Sequence, residues 1–274
     1  MFSRKLVYGV LLVTVVFLSA CNREYRNIMR SHDTLARYEF AMRLFEEGDL
    51  RRSLRIFEDI QPFMRGREQF GDMTITMAQA YFRSGDFFMA AHVYQAYARQ
   101  FPTSDRAENA FFMAAYSMMM DVPYFRLDQT NAHNAIRQFQ LFINYYSHSP
   151  RVREANDHID MLRLQLARKA FTLANNYHRR SLYLAASISF RNVMRDFPET
   201  RFREEANYMM VKSLFYYAHN SVRARQYERF TNTLEAHQQF ERTFPESRFL
   251  SRLQPYKTRT TTFLERNRPL TYNP

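Results

Sequence analysis

The side chains able to do chemistry are few in kind. Cys21 is the only cysteine in 274 residues. It can form no intramolecular disulfide, CxxC pair or multi-cysteine metal site. The eight histidines are scattered, and no HExxH metal motif is present. The densest cluster, Asp157-His158-Ile159-Asp160, would fan around a helix and offers no converging ligand set. After Gly85 there is no glycine from which to build a phosphate-cradling loop, and no Gly-x-Ser-x-Gly elbow occurs. A Ser-His-Asp arrangement assembled from distant positions stays open. The expectation is no metal, no cofactor and no catalytic residue: a binding scaffold, not an enzyme.

The surroundings of Cys21 give that residue a different chemistry. Arg4 and Lys5 precede an apolar run from Leu6 to Phe17, and small residues Ser19 and Ala20 lead into the cysteine. A charged start, an apolar centre and a small-residue exit describe a secretory signal. The run is shorter than the roughly 20 residues that span a bilayer. Leu18-Ser19-Ala20-Cys21 resembles the lipobox of bacterial lipoproteins. That resemblance implies cleavage before Cys21 and a covalent lipid (S-diacylglycerol and N-acyl) on it, which would rule out thiol nucleophile chemistry. A cleavable leader with a chance cysteine is the alternative. The expected organisation is a signal peptide over 1–20, a lipidated linker over 21–31, and a mature chain with no other membrane-spanning stretch.

The formal net charge is +12, or +10 without Arg4 and Lys5, and only four of the 39 basic residues are Lys. A basic surface raises nucleic acid as a partner, but an exported chain does not meet it routinely. Anionic lipid head groups or acidic protein surfaces fit better, and Arg suits bidentate contacts. A solvated basic face is the plainer reading.

The elements that must position any site are helical. "FPTS" (Phe101–Ser104) recurs as "FPET" (Phe197–Thr200) and "FPES" (Phe244–Ser247), with a degenerate "YSHS" at Tyr146–Ser149. Upstream of each lies a 4-3-4 spacing: Ala90, Tyr94, Tyr97, Phe101; Ala135, Phe139, Phe142, Tyr146; Ala186, Phe190, Val193, Phe197; Thr233, His237, Phe240, Phe244. Ser53, Phe57 and Ile60 form an earlier copy. This spacing places one small residue and several large ones on one helix face. Proline then ends the helix, and the Ser or Thr two positions later is expected to cap the next. Ser149-Pro150 suggests a cap followed by Pro at the first helical position. "EEGDLRRSLRIFEDI" (Glu46–Ile60) and "RSGDFFMAAHVYQAY" (Arg83–Tyr97) look like tetratricopeptide repeats with a Gly-Asp turn between paired helices. "RRSLYLAASISF" (Arg179–Phe190) has lost the Gly. The fold class is therefore an all-α tetratricopeptide-repeat solenoid of about five helix pairs plus a capping helix near Ser247–Arg266. Repeats 1–3 occupy 32–150, repeats 4–5 and the cap 151–267, and a tail 268–274. A long connection within Met118–Ile136, broken by Pro123, and an extension within Tyr216–Phe230 interrupt the pattern.

A lipobox followed by five such repeats resembles the BamD family, lipoprotein subunits of the machinery that folds β-barrels into the outer membrane of Gram-negative bacteria. The most specific segments are "LDQTNAHNAIRQFQLFINYY" (Leu127–Tyr146) and "FPETRFREEANYMMVKSLF" (Phe197–Phe215), and "LDQTN" looks like the Bacteroidetes version. The resemblance implies an anchor at the periplasmic face of the outer membrane through Cys21. It implies C-terminal repeats that dock on the barrel subunit BamA, alongside other lipoproteins of that complex, and N-terminal repeats that receive unfolded barrel precursors. Asn22 follows the anchor and no acidic run comes after it; by analogy both favour the inner leaflet. In such arrays the first helix of each pair lines the concave face. The peptide-binding candidates are therefore Tyr38, Met42, Gln79, Arg83, Asn109 and Tyr116, with core packing the alternative for Tyr38 and Met42. The docking candidates are Arg223, Arg225 and Arg229, expected on a loop in the fifth repeat. A different periplasmic tetratricopeptide adaptor, scaffolding cell-envelope enzymes, is the competing function.

Overall fold

The computed structural model describes residues 23–268. Cys21, the leader and the end of the expected tail lie outside them. The described residues form twelve helices and no strand. A stretch over 23–30 (α1) precedes α2 (Thr34–Glu46), α3 (Leu50–Met64), α4 (Phe70–Ser84), α5 (Phe87–Gln100), α6 (Ala107–Met120) and α7 (Thr130–Tyr145). Then come α8 (Val152–Arg179), α9 (Tyr183–Asp196), α10 (Arg203–His219), α11 (Arg223–Thr243) and α12 (Leu250–Arg266). Successive helices pack on each other from α2 to α7 and from α9 to α12. The result is the all-α repeat array that the spacing predicts. The chain divides into two compact units. One comprises residues up to Val122 with Thr130–Asn156, and the other Pro123–Gln129 with residues from Asp157 onward.

The small anchors close the repeats. Ser53, Ala90, Ala135, Ala186 and Thr233 are all 0–2% exposed. With no bulk at these positions the partner helix comes close, and Ser53 Oγ donates to the Ala41 carbonyl of α2 at 2.8 Å. The large residues that follow on the same face, Phe57, Tyr94, Phe139, Phe190 and His237, are buried as well. Each buried Phe or Tyr ring contributes roughly 1.5–3 kcal/mol.

Turns between paired helices follow the backbone chemistry of their residues. Gly48 and Gly85 sit at φ +85° and +83°. At this angle the next amide reaches back over the helix end: Asp49 N donates to Leu44 O at 2.9 Å, and Asp86 N to Tyr81 O at 3.0 Å. Each Asp then caps the second helix, accepting from Arg52 N at 3.2 Å or Met89 N at 3.1 Å. In the fourth repeat Ser181 takes the same left-handed conformation at φ 60°, and Leu182 N donates to Tyr177 O at 3.0 Å.

The Ser/Thr after each proline phrase acts one turn earlier than expected. Ser104, Thr200 and Ser247 accept from the amide two residues on, at 3.2, 3.4 and 3.0 Å. A short turn then intervenes before α6, α10 or α12 begins. Ser149 does the same for Arg151 N at 3.1 Å, so Pro150 lies in the turn and α8 starts at Val152.

Candidate functional site

The first helices of repeats one to three (α2, α4 and α6) carry all six peptide-binding candidates. Two of them, Arg83 and Tyr116, reach a neighbouring helix. Arg83 of α4 is exposed and holds its guanidinium 4.5 Å from the Phe45 ring centre on α2. Tyr116 of α6 lies 5.9 Å from Phe82 of α4 and stacks at 6.3 Å on Phe112. Asn109 is exposed and accepts from Arg151 Nη1 at 2.9 Å. Gln79 is half-buried. Tyr38 and Met42 are half-buried and pack against the core of the first unit. Burial, aided by the nearby Asp72 carboxylate, pushes the Tyr38 hydroxyl pKa above its ordinary value, so it stays a neutral donor. Arg83 and Asn109 are thus exposed side chains with a contact each, and Tyr116 is a half-buried ring.

The three arginines expected on a fifth-repeat loop are not on a loop. The fifth-repeat connection is only residues 220–222, and Arg223 opens the 21-residue helix α11. Nothing in "RARQYERF" breaks a helix, so the segment lengthens α11 instead of forming a loop. Arg223 and Arg225 are exposed. Arg223 Nη2 donates to Asn267 at 3.4 Å, and Arg225 pairs with Glu228 at 3.4 Å. Arg229 is half-buried, 4.1 Å from the Tyr217 ring centre, and donates to Ser221 Oγ.

The long connection after α6 has a structural explanation that the sequence reading lacked. Gln129 is buried, and its amide nitrogen lies 3.1–3.4 Å from the carbonyls of Pro123, Tyr124, Leu127 and Asp128. Gln165 of α8 donates to Gln129 Oε1 at 2.8 Å and to Pro123 O at 2.9 Å. Lys169 donates to Leu127 O at 2.7 Å, and Arg168 lies over the buried Phe125 ring at 4.2 Å. "LDQTN" is thus the segment whose glutamine satisfies an irregular loop's own backbone. Asn131 continues the arrangement, donating to the Asp121 carboxylate at 2.8 Å. Arg151, also missed, bridges Asn109, Glu154 and the Phe112 ring.

Among the described residues no cluster of His, Cys, Asp or Glu is arranged to hold a metal, and no helix is long and apolar enough to cross a membrane. Paired helices packed in sequence define a helical-repeat fold. The profile of the YfiO family, described as outer membrane lipoprotein, matches residues 30–214, and the chain belongs to that family. It is 19% identical over 206 residues to the outer membrane protein assembly factor BamD of Pasteurella multocida (strain Pm70), covering 71% of this chain and 78% of that one.

Proposed function

We propose that the chain is a lipid-anchored scaffold of the β-barrel assembly machinery. Acylated Cys21 holds it at the periplasmic face of the outer membrane. Its N-terminal repeats receive unfolded barrel precursors in extended form, and its C-terminal repeats dock on the BamA-like barrel subunit together with the other lipoproteins of the complex. It acts by binding, without catalysis. The observation that carries this reading is the extent of the family match, which runs from the end of α1 into α10 and so covers most of the repeat array.

Arg83, Asn109 and Tyr116 are the side chains offered to the precursor. Gln79 is a half-buried neighbour, and Tyr38 and Met42 supply the floor. Exposed Arg223 and Arg225 are offered to an acidic surface of the barrel subunit, while Arg229 braces the corner from which α11 starts. The test is depletion followed by measurement of folded barrel proteins in the outer membrane, with detergent pull-down of the wild-type chain in parallel. Loss of barrels and co-purification of a large barrel protein are the expected results. Unchanged barrel levels, with recovery of peptidoglycan hydrolases instead, would sink the proposal and leave a cell-envelope adaptor. Cys21→Ala should leave the outer-membrane fraction; retention there would show that lipid is not the tether.

A further inference from the structure

We infer that α1 is a headgroup-binding helix that lays the first repeat against anionic phospholipid. This rests on the lipid-anchor reading of Cys21. The helix is amphipathic in an unusual sense. Tyr25, Ile28 and Met29 face inward and pack on the core of the first unit. Tyr25 meets Phe40 with ring centres 6.4 Å apart, Arg52 lies 5.1 Å over Tyr25, and Glu24 pairs with Arg43. These contacts fix the rotation of the helix about its axis. The outward face then carries Arg23, Arg26 and Arg30 at i, i+3 and i+7, all exposed. None of the three has a carboxylate partner among the described residues.

The covalent chain sets the distance. Arg23 lies two positions after Cys21, a span of at most about 7 Å. That is shorter than the roughly 8–10 Å over which charges act at physiological salt. An acyl chain buried at Cys21 therefore places Arg23 within reach of the headgroups. The remaining seven residues of α1 rise only about 10 Å, so a helix lying along the surface brings all three guanidinium groups to it. Guanidinium is suited to bidentate contact with phosphate.

A second pair extends the surface. Met29 at the end of α1 lines an open cleft of about 690 Å³ with Arg51, Leu54, Arg55, Glu58 and Asp59. The two carboxylates there are already engaged, Glu58 by the Tyr81 hydroxyl and Asp59 by Arg37. Arg51 and Arg55 are exposed, one helical turn apart, and have no carboxylate partner among the described residues. Arg37 offsets the Asp59 charge, while the neutral Tyr81 hydroxyl leaves Glu58 negative, so the cleft sets two arginines and the apolar Met29 and Leu54 against one remaining carboxylate. The arginines at its rim add to the α1 stripe as a weaker headgroup contact. The lipid on Cys21 supplies attachment. The arginines supply orientation, fixing which side of the first repeat faces the bilayer.

The test uses the full mature chain carrying Cys21→Ser, which cannot be acylated, sedimented with vesicles of phosphatidylcholine alone or with phosphatidylglycerol added. Binding should require phosphatidylglycerol and weaken with added salt. Each arginine near the surface is worth about a fivefold change in partition, so Arg23→Gln/Arg26→Gln/Arg30→Gln should lower binding more than tenfold, and Arg51→Gln/Arg55→Gln severalfold. Arg99→Gln/Arg153→Gln/Arg191→Gln removes the same charge from exposed sites elsewhere and should leave most of the binding. Helical content by circular dichroism checks that each variant is folded. Equal losses in the two triple variants would overturn the inference. So would indifference to phosphatidylglycerol, which would leave the stripe to an acidic protein surface. The mass of the N-terminal peptide from membrane-derived wild-type protein reads acylation separately, so failure of the anchor and failure of the stripe give different results.

Discussion

The corner between α4 and α5 and the corner between α8 and α9 reach one backbone shape with different residues. In the first, Gly85 takes a positive φ at no steric cost and Asp86 caps the next helix. In the second, Ser181 takes the strained conformation, and Leu182 occupies the cap position without a side-chain acceptor. Behind the second corner lies a polar and aromatic cluster. His178 Nδ1 is 2.9 Å from Ser213 Oγ, and its ring meets Tyr183 and Tyr216 at 5.4 and 5.9 Å. The difference teaches that helix-face packing defines these repeats, with turn chemistry as an adjustable addition. Ala90 and Ala186 are equally buried behind the good corner and the poor one.

The comparison breaks most severely if the packing is removed. Phe139→Ala and Phe190→Ala empty fully buried ring sites in different units, and each should cost about 3–5 kcal/mol in urea unfolding. A cost below about 1 kcal/mol at Phe190 would mean the fourth repeat is held by something other than this face. Next, Asp86→Ala should cost about 1 kcal/mol by loss of the cap, while Leu182→Ala should cost no cap energy; hydrogen exchange of the first turns of α5 and α9 reads the two separately. Acid sharpens the contrast further. Burial lowers the pKa of both His178 and His237. The unfolded chain therefore binds protons more readily, and stability is lost as pH falls below the unfolded value of about 6.5 and through the depressed folded values. A His178→Gln/His237→Gln variant should flatten that profile below about pH 6.5; an unchanged slope would assign it to other groups. The smallest effect belongs to Ser181→Gly, which relieves the left-handed strain and should stabilise by about 0.5–1 kcal/mol. Gly85→Ser should destabilise by a similar amount.

Much of this was legible because helix-face periodicity is local. The 4-3-4 spacing located the anchors in all five repeats, including Thr233 and His237, where polar residues stand in for the usual Ala and Phe. The Gly-Asp turns were legible for the same reason. Long-range polar pairing has no period, so Gln129 and Gln165, 36 residues apart, gave no joint signal. The arginine-rich start of α11 read as a loop extension because it lacks apolar periodicity, though its residues are compatible with a helix. The candidate site was legible only as far as helix and face. Tyr38 and Tyr116 occupy the expected helices, but their degree of burial depends on neighbours that the sequence does not order in space.

One recurring tie bears on how such arrays change length. Asp72 in the first turn of α4 pairs with Arg106, Glu108 in α6 accepts from Ser149, and Glu204 in α10 accepts from Ser247. In each case an acid near the start of a helix pair holds the turn that leaves it. The partners are 34, 41 and 43 residues apart. Each tie joins the start of a pair to the turn that leaves it across a different length of chain. Such a contact depends on the two ends alone, so its geometry is independent of how long the corner between them is.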